Sequence, residues 1–303
     1  MPTKTSGLLA APLLLAGLAL TGCTAPPPGP PPTGDGCQKP QAVVTDQAVS
    51  MKVGTATRRY TWSASNRTGP KPLVLDFHGL LEGTAGVHPT MTQFTPKAKA
   101  EGFVVAYPIG DGNGLNWDLT STSQSLQFVD QLIARLKAET CIDAKRIYAT
   151  GLSYGAFMTS SIMCYRSEVF AAAAPVAGIM NPADCRPTRK IPFVTFHGTA
   201  DPILPFNSFA ATPQAWATRY GCGAKATTTV VASDATTKKP ITKDTWDCQA
   251  QGTAAEFYRI EGGGHAWPGS AFSTSIGSIV GPTATSINAT DVIWDFFKRF
   301  SLP

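Results

Sequence analysis

Arg146-Ile147-Tyr148-Ala149-Thr150-Gly151-Leu152-Ser153-Tyr154-Gly155 is the stretch on which the reading of this chain turns. Residues 146–150 read as a strand, and residues 156–163 have the composition of a helix. Between them stands Gly-x-Ser-x-Gly. A serine on so sharp a strand-to-helix turn has a strained backbone, and its neighbours must let other backbone come close, which accounts for both glycines. The turn also aims the free N–H groups of a helix start at developing negative charge. Ser153 is therefore the candidate nucleophile. A glycine-rich turn with an incidental serine is the competing reading.

A serine hydroxyl needs a base, and the base needs an orienting acid. On turns of this kind the chain order is serine, acid, histidine. Of His78, His88, His197 and His265, only the last two follow Ser153. His197 ends a strand just before Gly198-Thr199-Ala200-Asp201-Pro202, a poor place for the base. His265 lies in Gly262-Gly263-Gly264-His265-Ala266-Trp267-Pro268, where a glycine-rich loop is expected to let the ring swing over a cleft. His265 is the expected base and Asp201 the acid, with a plain turn role for Asp201 before Pro202 still open. Asp184, Asp234 and Asp247 are less suitably placed. The oxyanion donors are expected to be the backbone N–H groups of Tyr154 and Leu80, the latter in His78-Gly79-Leu80-Leu81-Glu82-Gly83. His78 then serves to fix that loop. Trp117, Phe206 and Trp267, with Tyr154, are candidates for an aromatic rim that binds substrate.

Outward from this centre, strand-like runs at 43–50, 57–63, 72–78, 102–107, 146–150, 172–177, 192–197 and 256–260 alternate with helical stretches. Leu126, Val129, Ile133 and Leu136 repeat at helical spacing, as do Ile293, Phe296, Phe297 and Phe300. The expected class is α/β: a mostly parallel eight-stranded sheet with helices on both faces. The polar stretch 224–251 reads as an insertion before the last strand.

Hydrophobic residues make up 43% of the 303 and charged residues 15%, a globular balance. The net charge of +5 comes from scattered Lys and Arg with no basic run, so no nucleic-acid partner is expected. Residues 8–20 are an apolar run too short to span a bilayer, ending in Leu20-Thr21-Gly22-Cys23. That ending resembles a bacterial lipoprotein cleavage box. It implies a signal peptide over 1–22, a lipidated Cys23, a proline-rich linker over 23–36 and a catalytic domain over 37–303. The expected location is the cell envelope or surface, anchored to a membrane. Export leaves six cysteines in an oxidising compartment. Cys222 and Cys248 bracket the polar insert and pair first, followed by Cys164 with Cys185 and Cys37 with Cys141. No His stands at metal-ligand spacing from a Cys, so neither metal nor cofactor is expected.

Five segments occur in order: FHG (77–79), CIDAKRIYATGLSYG (141–155), APVAG (174–178), FHGTADPILPF (196–206) and GGGHAWPG (262–269). Together they resemble the poly(3-hydroxybutyrate) depolymerase and feruloyl-esterase branch of the α/β-hydrolases, over about residues 72–269. The resemblance implies a serine esterase acting on polyesters or on acyl groups of plant polysaccharide, with Ser153, Asp201 and His265 matching nucleophile, acid and base. The FHG loop departs from it by continuing Leu-Leu-Glu-Gly, and Tyr154 is bulky. Both departures bear on the acyl pocket. Two alternatives stay open: a prolyl-oligopeptidase-like serine peptidase, for which the chain is short, and a catalytically inactive binding lipoprotein.

Overall fold

The computed structural model describes residues 34–80, 82–83, 86–110, 116–182 and 184–303. The segment expected to be a signal peptide, the expected lipidation site Cys23 and nearly all of the expected proline-rich linker lie outside the described residues. The strands are β1 (Val44–Val53), β2 (Ala56–Ala64), β3 (Lys71–Phe77), β4 (Val104–Ile109), β5 (Ile142–Leu152), β6 (Ala172–Val176), β7 (Phe193–Gly198), β8 (Cys222–Ser233), β9 (Pro240–Cys248) and β10 (Ala255–Ile260). They form one sheet in the order β1-β2-β4-β3-β5-β6-β7-β10-β9-β8. From β4 to β10 neighbouring strands run parallel, while the pairs at each edge are antiparallel.

The sheet therefore has ten strands where the sequence predicted eight. All eight expected strands are present, and the two additional ones come from the polar insert, which folds into the β8–β9 hairpin on the edge of β10. Its outer strand is mostly exposed, so it lacks the apolar alternation that marks a half-buried strand. Cys222 faces Cys248 in the register, and their disulfide closes the open end of the hairpin. The other disulfides join Cys164 to Cys185 and Cys37 to Cys141, completing the expected set.

The helices are α1 (Val87–Thr92), α2 (Phe94–Glu101), α3 (Gln124–Glu139), α4 (Tyr154–Tyr165), α5 (Phe206–Phe209), α6 (Thr212–Arg219), α7 (Ala271–Ser275), α8 (Gly277–Val280) and α9 (Ala289–Phe297). Strand alternation sorts them onto the two faces. Leu73, Leu75 and Phe77 of β3 join one core with Leu126, Val129, Ile133 and Leu136 of α3 and with Met158 and Ile162 of α4. Val74 of the same strand joins the other core, with Phe94 and Ala98 of α2 and Ile293, Trp294, Phe296 and Phe297 of α9. The Ser123 hydroxyl caps α3 by accepting the Leu126 N–H at 3.0 Å. Among the described residues no helix is long and apolar enough to cross a membrane.

Candidate active site

Because β5, β6, β7 and β10 are parallel neighbours, their C-terminal ends share one edge of the sheet, where ligands of such sheets collect. That edge carries Ser153 after β5, Asp201 after β7 and His265 after β10.

Ser153 sits between strand and helix with φ 58° and ψ −117°, a left-hand φ that a serine adopts only under constraint. The constraint is visible on both sides. Its N–H donates to the Val176 carbonyl of β6 at 2.9 Å, and its own carbonyl receives the Ala156 and Phe157 N–H groups of α4. A Cβ on Gly155 would overlap the Phe77 carbonyl, and one on Gly151 would lie 2.5 Å from it. Only glycines allow the start of α4 to press against the end of β3. That contact packs the first turn of α4 against Phe77 and His78, the residues that lead into the Gly79–Leu80 loop.

The Asp201 carboxylate is buried and uses both oxygens. Oδ1 accepts the N–H groups of Ile203 and Leu204 at 2.9 and 2.8 Å. Oδ2 lies 2.7 Å from His265 Nδ1 and 3.3 Å from His197 Nε2. The turn contacts and the contact with the candidate base are thus made by different atoms. Burial alone would raise this carboxyl, but the bonds from His197 and His265, the His265 charge and the Leu204 N–H together hold it well below the usual carboxylate range. His197 Nε2 also faces the Leu204 carbonyl at 2.9 Å, so this second imidazole ties the acid to its own loop.

The loop that bears His265 is tightly tied, contrary to the swinging loop expected from its glycines. His265 N–H donates to the Val280 carbonyl and Gly264 N–H to that of Pro282 at 2.6 and 2.7 Å, while Ala200 N–H donates to Gly263 at 2.9 Å. A Cβ on Gly263 would lie 2.6 Å from Ile260, and one on Gly264 would overlap the Val280 carbonyl. The glycines permit close packing here, which holds the His265 loop against the loop that carries Asp201.

His78 is buried, and burial pushes its imidazole down to about 4, so it is neutral. Nδ1–H donates to the Gly79 carbonyl at 2.6 Å, and Nε2 accepts the Gly110 N–H at 2.9 Å. It fixes the loop ahead of Leu80, whose side chain is 54% exposed.

Two of the expected rim residues are core residues instead. Trp117 is 2% exposed, and its indole N–H donates to the His78 carbonyl at 3.0 Å. Trp267 is 1% exposed, donates to Thr290 at 3.0 Å and packs on Phe94 and His88. Each indole N–H has a partner inside the protein, which is what permits burial. Phe206 is half-buried and stands 5.8 Å from the His197 ring. It belongs to an aromatic arc whose other members are Phe209, stacked on both His197 and Phe157, and Tyr154, which meets Phe157 at 5.7 Å. Phe157 and Phe209 escaped the sequence reading. Their signal was the spacing: four residues after Ser153 and three after Phe206 on short helices. Among the described residues no cluster of His, Cys, Asp and Glu is arranged to hold a metal ion.

The family model described as the prolyl oligopeptidase family matches residues 98–203. The bifunctional acetylxylan esterase/xylanase XynS20E of Neocallimastix patriciarum is 28% identical over 80% of this chain, which spans 33% of that longer protein. NocK of Nocardia uniformis subsp. tsuyamanensis, named as an esterase, is 26% identical over 97% of this chain and 98% of its own length. Feruloyl esterase B of Piromyces equi is 32% identical over 47% of this chain and 29% of its own length. Among solved structures, an acetyl xylan esterase from Aspergillus awamori superposes with a TM-score of 0.58 at 17% identity, covering 72% of this chain and 94% of that one. The fold is that of the α/β-hydrolases.

Proposed function

We propose that this chain, an enzyme with the α/β-hydrolase fold, is an exported serine esterase that works through an acyl-enzyme. The observation that carries the reading is the buried Asp201–His265 pair at 2.7 Å, set on the same sheet edge as the strained Ser153. Asp201 holds the His265 ring by Nδ1, which leaves Nε2 to take the Ser153 proton. The serine oxygen then attacks the ester carbonyl, and the Tyr154 and Leu80 N–H groups receive the negative charge on the carbonyl oxygen. His265 returns the proton to the leaving alcohol, and water repeats the sequence to free the acid.

The proposed substrates are acyl groups on plant polysaccharide, feruloyl or acetyl, with hydroxyalkanoate polyesters as the second class. The half-buried arc of Tyr154, Phe157, Phe206 and Phe209 supports a flat or apolar group on one side of the ester. Three disulfides support export, and lipidation at Cys23 on a proline-rich tether is proposed from the sequence. The match of residues 98–203 to the prolyl oligopeptidase family favours a second reading, a serine peptidase.

The test is turnover by the domain that follows Cys23. The panel holds nitrophenyl acetate and butyrate, methyl ferulate, acetylated xylan, a hydroxybutyrate oligomer and an aminoacyl anilide. Ester turnover that Ser153→Ala lowers by about four to six orders of magnitude is expected. Cleavage of the anilide alone would favour the peptidase, and turnover unaffected by Ser153→Ala would remove the serine mechanism.

A further inference from the structure

The peptide that joins Gly79 to Leu80 is gripped at several points. Its carbonyl receives His78 Nδ1–H at 2.6 Å and the Glu82 N–H at 3.3 Å. A trans peptide directs its C=O and N–H in opposite senses, so fixing the Gly79 carbonyl also fixes where the Leu80 N–H points. The preceding N–H, that of Gly79, donates to Glu82 Oε2 at 2.8 Å. The same oxygen lies 3.3 Å from His88 Nδ1. His88 Nε2 stands 2.8 Å from Asp76 Oδ1, and Asp76 Oδ2 accepts the Thr92 hydroxyl at 2.6 Å. A line of three ionisable side chains thus runs from the C-terminal end of β3, through α1, to the loop that carries Leu80. None of the three belongs to the Ser153–His265–Asp201 set.

We propose that Glu82, braced by His88 and Asp76, is a positioning residue that sets the Gly79–Leu80 peptide so that the Leu80 N–H is aimed before substrate arrives. The inference rests on the esterase reading and extends it to groups that never touch the ester. Its logic is electrostatic preorganisation: a donor held in place needs no rearrangement when charge develops. Glu82 is suited to the task because its backbone and its carboxylate hold the two sides of Gly79. A Cβ on Gly79 would come within 2.9 Å of that carboxylate, so glycine is what lets it approach.

The brace holds as a unit. The groups that face His88 are Asp76 from β3, Glu82 and the neutral His78 from the following loop, the Tyr107 ring of β4 and the Trp267 ring. Burial would lower the His88 imidazole, but Asp76 and Glu82 outweigh it and lift it to about 9, so it is cationic at neutral pH. Burial would likewise raise Glu82, but His88 and the Gly79 N–H hold it below its ordinary value. Removal of Glu82 leaves the His88 cation paired with Asp76, while removal of His88 leaves both carboxylates without the cation between them.

The experiment compares Glu82→Ala, Glu82→Gln and Gly79→Ala with the parent. The readouts are kcat and KM on whichever ester the parent turns over, and amide exchange by mass spectrometry on peptides covering residues 77–83. Glu82→Ala is expected to lower kcat by about 100-fold with KM nearly unchanged, the mark of an interaction made in the transition state. Exchange of the Gly79 and Leu80 amides should quicken in that variant. Glu82→Gln keeps an acceptor for the Gly79 N–H and should restore most of the kcat and the protection. Gly79→Ala displaces the carboxylate without removing it and should reproduce the kcat loss. Parent-like kcat and exchange in folded Glu82→Ala, or in Gly79→Ala where the first variant does not fold, would overturn the brace. Loss of the esterase reading has a different signature: parent turnover that persists in Ser153→Ala, with exchange still reporting on the Gly79 amide.

Discussion

At position 201 one carboxylate serves a turn through Oδ1 and two imidazoles through Oδ2. Asp201→Asn keeps the turn but offers His265 an amide, which can favour the wrong tautomer. We expect kcat to fall by about four orders of magnitude, read on the best ester of the panel. The same carboxylate links folding to pH. Its native pKa is depressed, so its contribution is present above the unfolded value of about 3.9 and is lost as pH falls toward the native one. Thermal unfolding between neutral pH and pH 3 should show the parent losing stability on acidification and Asp201→Asn losing less. Ser153, Asp201 and His265 could be given candidate roles from the sequence because chemistry limits which residue types can stand after which strand, and the structure brings Asp201 and His265 into contact. Trp117 and Trp267 were not, because composition does not say whether an indole N–H finds its partner in the core or in water. The Glu82–His88–Asp76 line was hidden for a related reason: its members are spread over a strand, a loop and a helix with no spacing rule between them.

Among the elements, the β8–β9 hairpin is the clearest departure from expectation. Its outer strand is mostly exposed, so its Thr-rich sequence carries no periodic apolar signal, and only the flanking cysteines hinted at a paired structure. The eight other strands were legible because each sends apolar residues into one core by alternation or into both along its length. The hairpin still matters to the site, since β9 pairs along all of β10 and β10 leads into His265. The Cys222–Cys248 bond closes a loop with a sequence separation of 26, which chain entropy values at about 3 kcal/mol. Replacing both cysteines with alanine should lower the denaturant midpoint accordingly. Ester kcat should hold within about threefold, because Gly263, Gly264 and His265 are tied to residues 200, 280 and 282 rather than to the hairpin. A large kcat loss at full folding would place the hairpin in the active-site scaffold.

Over the whole molecule, Cys37 and the Ser153 edge lie at opposite ends of the central strand β5. Cys37 is bonded to Cys141 just before β5, and the Gln41 carboxamide oxygen accepts from Lys71, Thr140 and Cys141 in the same place. Ser153 follows the far end of that strand, whose 11 residues span about 35 Å. On the proposed lipid anchoring, a tether leaving near Cys37 would turn the Ser153 edge away from the membrane and toward extended substrates. Covalent labelling reads out whether Ser153 is the one activated nucleophile of this fold. The folded domain would be treated with a fluorophosphonate, digested, and mapped by mass spectrometry beside Ser153→Ala. One adduct per chain is expected, on Ser153, and none in the variant. A folded parent that stays unlabelled, or a label that persists in Ser153→Ala, would contradict this.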